Sequence, residues 1–238
     1  MPSLAHHVAH IPKQPLLGHL GWVRGALGGT IGIAVAGILG AAFLGSADPA
    51  LPWLVAPTGA SAVLVFAVPA SPLAQPWPVI GGSILSAVVG LLVGELLGNP
   101  LMAASLAIGL SIGVMSLARC LHPPGGACAV LYALGATGLE AWDWRHLLAI
   151  VVNVLALAGA GWLYNNLSGH PWPHKPVHIP DVVASGSRSA EVHDALTAVL
   201  AEWNEVIDAD IDDLDAIFQA VERRIRSREQ DAPPAAKI

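Results

Sequence analysis

The apolar residues of this chain are grouped in six long runs that short polar or proline-rich connections separate. None of the runs shows the strict alternation of a half-buried strand, and most approach the roughly 20 residues that a helix needs to cross a membrane core. The runs are Arg24–Leu44, Leu51–Val68, Pro78–Gly98, Leu101–Ala118, Leu121–Gly138 and His146–Leu167. This pattern predicts an all-α membrane protein.

The second and fifth runs differ from the others, because proline interrupts each of them near its start. Pro57 lies in the second run and Pro123-Pro124 in the fifth, each with glycine close behind. Proline removes a backbone donor and disfavours helical geometry at the preceding residue. We therefore expect each run to be an extended lead-in followed by a half-helix, which begins at Thr58 in the second run.

The two interrupted runs belong to a longer internal repeat with an offset of 67 residues. Sliding the chain by that offset pairs identical residues over a long stretch, including Pro57/Pro124, Gly59/Gly126, Trp77/Trp144 and Asn99/Asn166. Three crossings in each repeat would give the two repeats opposite orientations in the membrane. The sequence therefore predicts two inverted three-segment repeats, about 21–99 and 100–168, with their broken half-helices at matching positions.

Composition agrees with a membrane protein, since 54% of the residues are hydrophobic, 12% are charged and the mean hydropathy is +0.61. The net charge of −6 belongs to the region after Ser168, which holds 7 Lys and Arg residues against 13 Asp and Glu residues. An acidic tail does not provide the basic surface that nucleic acids require, so no nucleic acid partner is expected. Cys120 and Cys128 give neither a disulfide framework nor metal-ligand spacing.

We divide the chain into a cytoplasmic N-terminal segment (1–20), a transmembrane domain (21–168), a linker (169–186), an acidic helical tail (187–228) and a disordered end (229–238). The first apolar run is too long for the hydrophobic region of a signal peptide. The tail has two amphipathic stripes, around Trp203 and Phe218, that a short cytoplasmic helical hairpin cannot bury alone. It should pack on the membrane domain or on another copy, and we favour a homodimer.

A half-helix that starts inside the bilayer presents unpaired backbone N–H groups and the positive end of its dipole, which together favour a small anion. Two such starts would face one another. The expected contacts are amides and hydroxyls of the first interrupted run and the corresponding part of the second: Thr58, Gly59, Ala60, Ser61, His122, Pro123, Pro124, Gly125, Gly126 and Ala127. The alternative is that Pro-Pro-Gly-Gly forms only a tight bend buried in protein.

Three motifs in this order resemble the HPP family of integral membrane proteins: Leu121-His122-Pro123-Pro124-Gly125-Gly126-Ala127, Pro57-Thr58-Gly59-Ala60-Ser61-Ala62 and Ser71-Pro72-Leu73-Ala74-Gln75-Pro76-Trp77. The resemblance covers about Leu17 to Leu167 and implies a membrane domain, usually described as four-spanning. It also implies nitrite transport, in which plastid and cyanobacterial members are implicated. The tail resembles the stretch that leads into CBS domains in bacterial members.

For several polar residues, the sequence allows both a functional and a structural interpretation. His122 can contact the anion or respond to protons, and it can equally cap a backbone carbonyl. Arg119 can attract anions or anchor the chain by the positive-inside rule, and Ser71 and Gln75 can line the pathway or hold a loop. Glu95 lies near the end of its run, where a solvated structural role is favoured over proton coupling.

The sequence thus predicts a carrier or channel for a small inorganic anion, with nitrite as the expected substrate and with no enzymatic activity, cofactor or metal. The rival functions are an intramembrane enzyme with His122 as general base and a membrane-anchored sensor. We expect the inner (plasma) membrane and, from Lys13 and Arg24, cytoplasmic termini. Six crossings are favoured over four, the other possibility being that the second and fifth runs are re-entrant.

Overall fold

A computed structural model describes residues 21–175, 194–200 and 209–231. Within these residues there is no strand, and the all-α prediction is confirmed. The helices are α1 (Gly21–Leu44), α2 (Leu51–Ala67), α3 (Ser83–Leu97), α4 (Pro100–Leu117), α5 (Pro123–Ala136), α6 (Trp144–Leu167) and α7 (Ile211–Asp231), with a π-helical turn at Pro78–Gly82 leading into α3. Residues 1–20, most of the predicted linker and part of the tail hairpin lie outside the described residues.

Six helices, α1 to α6, match the six apolar runs. Four helical stretches are long and apolar enough to cross a membrane, namely α1, Pro78–Leu97, α4 and α6. Helices α2 and α5 are shorter, with 17 and 14 residues. Length and composition therefore identify four spans, and the role of the two shorter helices depends on where their ends lie.

The exterior of the bundle is apolar, and the residues that α1 turns to the interior are small. On α1 the buried residues are Gly25, Gly28, Gly32, Ala36 and Gly40, whereas Trp22 is 66% exposed and Ile38 is 67% exposed. A water-soluble helix would place its large apolar side chains inside. This arrangement suits a helix whose large side chains contact lipid and whose small residues allow close packing against its neighbours.

Hydrogen bonds at one end of the bundle show the direction of each helix. Arg24, at the start of α1, donates to Asn165 Oδ1 near the end of α6 and to the Phe66 carbonyl near the end of α2, each at 2.8 Å. In the same region of the fold, Trp77 Nε1, just before the π-helical turn, donates to the Ala118 carbonyl at the end of α4. Trp172, which follows α6, donates from its indole to the Ala74 carbonyl and joins these two groups. We call this end of the bundle the Arg24 end.

The opposite end holds the remaining helix ends. Gly94, close to the end of α3, lies against Ala136 at the end of α5, and Gly135 lies against Trp142, just before α6. Since α1 and α3 both start at the Arg24 end, residues 45–77 must return the chain, and α2 is the helix that does so. Helices α1 to α6 therefore run in alternating directions.

The third helix of each predicted repeat packs mainly on the other repeat. Helix α3 contacts α4 and α5, while α6 contacts α1 and α2. The closest approach lies between α3 and α5, where a Cβ at Gly90 would overlap the backbone of Ala129, and one at Gly94 would approach the Ala133 carbonyl to 2.7 Å. Glycine at these positions is what lets the two backbones meet.

Replacing Gly90 with Ala should lower the free energy of unfolding in detergent by about 2 kcal/mol, because the added methyl group would force α3 away from α5. Gly109→Ala is the matched control, since a Cβ on that exposed glycine of α4 meets nothing within 4 Å. It should leave stability unchanged or raise it by up to about 1 kcal/mol through helix propensity. Equal stability of the two variants would contradict the close α3–α5 packing.

The alternating directions place Asn99, between α3 and α4, on the side of the membrane opposite the Arg24 end. In a background that carries Cys120→Ala and Cys128→Ala, Asn99→Cys should react with an impermeant maleimide added to intact cells. Ser168→Cys, at the Arg24 end, should react only after permeabilisation. Labelling of both positions from the same side would mean that α2 and α5 do not carry the chain across.

Candidate functional site

The first interrupted run does not have the structure that its sequence predicts. Helix α2 begins at Leu51 and continues through Pro57 to Ala67, so the expected extended lead-in from Leu51 to Pro57 is wrong. Proline inside a helix removes one hydrogen bond, and neighbouring helices make the break tolerable in a membrane domain. Gly59 and Ala60 consequently lie in mid-helix, and their amides are not free donors at a helix start.

The second interrupted run begins as predicted, with a short non-helical lead-in. Helix α4 ends with Arg119 in the left-handed region (φ 53°), and Cys120 N–H returns to the Met115 carbonyl at 2.9 Å. His122 is then extended, and α5 starts at Pro123. This C-terminal motif reverses the chain so that α5 begins beside the helix it has just left.

The amides at the start of α5 are less available than the sequence suggests. Pro123 and Pro124 carry no N–H, and Gly125 N–H donates to the His122 carbonyl at 2.8 Å. Gly126 and Ala127 follow inside the helix. The predicted amide donation by Gly125 to a ligand is therefore not available in this structure, although the positive end of the helix dipole still lies here.

His122 links three parts of the chain. Its Nε2 atom lies 2.8 Å from Ser61 Oγ on α2, and its Nδ1 atom lies 2.9 Å from the Leu73 carbonyl in the connection between α2 and the π-helical turn. Both side chains are buried, with Ser61 at 1% and His122 at 0% exposure. The two interrupted runs therefore meet at this pair, but α2 contributes a mid-helix residue and not the helix start that the sequence predicted.

The hydrogen-bond partners of the ring determine which nitrogen of the neutral imidazole carries the proton. A carbonyl can only accept, so Nδ1 carries the proton, and Nε2 accepts from the Ser61 hydroxyl. Ser61 Oγ also lies 3.4 Å from the Pro57 carbonyl. If His122 gains a proton, Nε2–H can donate to Ser61 while the hydroxyl turns to Pro57, so both protonation states have complete hydrogen bonding.

Beside this pair, α3 brings two serines against the start of α5. A Cβ at Gly125 would lie 3.0 Å from Ser86 Oγ and 2.8 Å from the Gly82 carbonyl. Ser86 is fully buried, and its hydroxyl has no hydrogen-bond partner among the described residues. Ser83 lies beside the Cys128 thiol without reaching hydrogen-bond geometry. The π-helical turn ends at Gly82 and is of the kind often found at functional sites.

The other predicted contact residues are divided between the interior and the exterior. Buried with Ser61 and His122 are Thr58, Pro124, Gly125 and Gly126. Gly59 is half-buried, and a Cβ there would meet nothing within 4 Å. Outside the buried set lie the exposed residues Ala60, Pro123 and Ala127. The structure therefore brings together one face of each motif and leaves the other face outside the site.

Two of the three predicted pathway residues, Ser71 and Gln75, form local hydrogen bonds. Ser71 Oγ accepts from Leu73 N–H, and Gln75 Nε2 donates to the carbonyls of Pro69 and Ser71. Gln75 Oε1 accepts from His174 N–H, and Arg119 is exposed at its turn. Ser71 and Gln75 thus hold the connection that presents the Leu73 carbonyl to His122, and their contact with a substrate remains a prediction.

Sequence reasoning missed Ser83, Ser86 and Asn153, which are buried and carry polar atoms without a hydrogen-bond partner among the described residues. A signal was present for two of them, because Ser86 and Asn153 are related by the 67-residue offset. A comparison for shared polarity, and not only for identity, would have paired them. Within the described residues, no three His, Cys, Asp or Glu side chains are grouped as metal ligands.

Comparison with known proteins identifies relatives of the membrane domain. Residues 14–173 match the family described as HPP, transmembrane region. Two transmembrane proteins of Dictyostelium discoideum are 37% identical over 149 residues and 35% identical over 106 residues, which is 61% and 43% of this chain. The matches span 50% of the first relative and 33% of the second. No solved structure matches.

The Ser61–His122 hydrogen bond should appear as a coupling energy in a double-mutant cycle. Ser61→Ala and His122→Phe should each lower the free energy of unfolding by about 1–3 kcal/mol, because each leaves a buried group without its partner. The two losses should be non-additive by about 1 kcal/mol. Pairing His122→Phe with Ser111→Ala, a buried serine on α4 that bonds only within its own helix, should give additive losses.

Proposed function

Since this chain belongs to the HPP transmembrane family, we propose that it is a membrane transporter that carries a small inorganic anion, with nitrite as the substrate. The observation that carries the proposal is the Ser86 hydroxyl. It is fully buried, has no hydrogen-bond partner among the residues that the structure describes, and is directed at the first turn of α5. A hydroxyl donor next to the positive end of a helix is a suitable site for an anion.

The chemistry of the interior supports an anion over a cation. The buried polar side chains of the described residues are serines, a threonine, a histidine and two asparagines, with no carboxylate among them. Arg24 is half-buried at the Arg24 end and bonds only neutral acceptors, and no described carboxylate forms an ion pair with it. A cation crossing this interior would find no compensating negative charge.

The helix arrangement supports inverted repeats. Equivalent helices of the two predicted repeats run in opposite directions, α1 against α4, α2 against α5 and α3 against α6. In addition, α3 of the first repeat packs mainly on the second repeat, and α6 of the second repeat packs mainly on the first. In transporters built this way, substrate binds at the interface of the repeats, and their relative movement opens one side at a time. We assign the chain to this class.

Charge at the two ends supports the proposed orientation in the inner (plasma) membrane. Near the Arg24 end lie Arg24, Arg119 and Lys175, whereas Arg145 is accompanied at the other end by the carboxylates of Asp48, Glu95, Glu140 and Asp143. By the positive-inside rule, the Arg24 end and both termini face the cytoplasm.

A homodimer through the tail is also part of the proposal. Helix α7 approaches the membrane domain through a 2.8 Å contact of Asp213 with His174, yet Ile217, Phe218 and Val221 remain at least 50% exposed. A row of exposed apolar side chains on one helix is suited to pairing with a second copy.

One observation favours a second candidate, an intramembrane hydrolase. Ser61, His122 and the Leu73 carbonyl have the order of nucleophile, base and orienting acceptor, at 2.8 and 2.9 Å. Against it, Ser61 is enclosed in mid-helix, and the nearby Gly125 amide that would stabilise an oxyanion is already bonded. Labelling of Ser61 by a fluorophosphonate probe would favour the hydrolase over the transporter.

Purified protein in liposomes should take up nitrite faster than protein-free liposomes, which account for diffusion of nitrous acid. Ser86→Ala should reduce the protein-dependent rate about tenfold, the effect of losing one hydrogen bond of roughly 1.4 kcal/mol to the anion. Ser111→Ala, a buried serine whose hydroxyl is already bonded to the Ile108 carbonyl, is the matched control and should retain the wild-type rate.

Competition by nitrate, formate, bicarbonate and chloride in the same liposomes identifies the preferred anion. If one of these competitors suppresses the uptake of labelled nitrite more strongly than unlabelled nitrite does, that competitor replaces nitrite as the substrate within the anion class. A wild-type rate equal to that of protein-free liposomes for every anion would contradict the proposal of a transporter.

A further inference from the structure

Asn153 is a further buried polar group without a partner in the described part of the fold. It lies on α6 with no exposed surface, and neither Oδ1 nor Nδ2 has a hydrogen-bond partner among the described residues. An amide removed from water without compensating bonds costs roughly 2–7 kcal/mol, so its presence here requires an explanation.

The same helix contains an asparagine that the fold does satisfy. Asn165 is also fully buried, but its Oδ1 atom accepts from Arg24 and its Nδ2 atom donates to the Val65 carbonyl. That residue joins α6 to α1 and α2 at the Arg24 end. Asn165, which has a structural role on α6, thus uses both of its amide atoms in hydrogen bonds. Asn153 has neither of these two kinds of hydrogen bond among the described residues.

The neighbours of Asn153 leave room for its amide. A Cβ at Gly40 on α1 would lie 2.6 Å from Asn153 Oδ1 and 3.3 Å from Leu51 Cδ1 at the start of α2. Glycine at position 40 thus lets the amide oxygen of Asn153 lie directly against the backbone of α1. Asn153 accordingly lies where α1, α6 and the start of α2 come together.

Ser86 occupies the equivalent position in the other repeat. The 67-residue offset that pairs Pro57 with Pro124 also pairs Ser86 with Asn153. Both residues are fully buried on the third helix of their repeat and have unpartnered polar atoms. Ser86 is directed at Gly125 on α5, and Asn153 lies near Leu51 on α2, the equivalent helix, although the offset pairs Gly125 with Thr58 and not with Leu51. The two positions therefore correspond in sequence, in burial and in neighbouring element.

We propose that Asn153 is a second ligand position in the transport pathway, the repeat counterpart of Ser86, and that it binds the same small oxyanion. This inference rests on the proposed function. Nδ2–H donates to an oxygen of the anion, and Oδ1 accepts from water that accompanies it. A neutral amide binds an anion without an ion pair, which suits a position that must also release its ligand.

The sharpest test compares two variants that differ by one oxygen atom. Asn153→Ala should reduce nitrite uptake into liposomes about tenfold, whereas Asn153→Ser, which supplies the hydroxyl that serves the other repeat, should retain most of the wild-type rate. Equal rates for the Ala variant and the wild type would overturn the inference. Equal loss in the Ala and Ser variants would overturn it too, because the defect would then follow volume and not the polar atom.

Melting temperature in detergent, without nitrite, provides a readout independent of transport. Asn153→Leu should melt at a higher temperature than the wild type, since it removes an unsatisfied amide from an apolar interior. Asn165→Leu should melt at a lower temperature, because the Arg24 guanidinium loses one of its two hydrogen bonds and the Val65 carbonyl loses the donor Asn165 Nδ2. A lower melting temperature for Asn153→Leu, together with wild-type uptake by Asn153→Ala, would assign Asn153 a structural role only.

The failure of this inference is distinguishable from that of the proposed function. If the wild type takes up no nitrite or other small anion, the proposed function fails and the inference fails with it. If the wild type and Ser111→Ala transport, Ser86→Ala does not and Asn153→Ala does, then the transporter stands and only the second ligand position is overturned.

Discussion

Polar groups inside a membrane domain have no bulk water to bond, and the interactions of His122 show how this fold meets that constraint. The imidazole is fully enclosed and uses both nitrogens, one for the Ser61 hydroxyl on α2 and one for the Leu73 carbonyl in the following connection. Because the same residue precedes Pro123, it also fixes where α5 begins. The start of α5, the course of the connection and one contact between α2 and α5 all involve this one ring.

Close backbone packing is the second element of the architecture. Glycines on α3 meet the alanines of α5, and a stripe of small residues on α1 faces the interior, while large aliphatic side chains face outward. Helices in lipid gain little from burying more apolar surface, so contact between backbones and a small number of polar contacts determine their arrangement. This explains why Ser61, His122 and Asn165, which bond between helices, lie where helices cross.

The sequence was sufficient to predict the helices but not every break in them. All six apolar runs became helices with bounds close to the predicted ones, because a long apolar segment in a membrane has few alternatives to a helix. The two proline motifs behaved differently. Tandem prolines after the left-handed Arg119 do start a helix, whereas the single Pro57 lies within one. The residues next to each proline cannot distinguish these outcomes, since they depend on whether neighbouring helices compensate for the hydrogen bond that proline removes.

The candidate site was predictable in part for a similar reason. The motifs identified Ser61 and His122 by their position beside the breaks, but their hydrogen bond joins residues 61 positions apart in the chain. Ser86 and Asn153 carry no motif; the 67-residue offset relates them to each other, but burial without a partner among the described residues is what distinguishes them from other polar residues of the helices. Whether a polar side chain has a hydrogen-bond partner depends on three-dimensional packing, so it can be determined only from the assembled helices.

The exchange of α3 and α6 between the repeats has a consequence for biosynthesis. Helix α3 is made before the helices on which it mainly packs, α4 and α5, and the faces of Gly90 and Gly94 have their partners only when α5 has entered the membrane. In the same way, α1 and α2 acquire their contacts with α6 last. Neither half of the chain can reach its final packing on the ribosome before the other half exists. Assembly of this domain is therefore a late event that requires the complete membrane portion of the polypeptide.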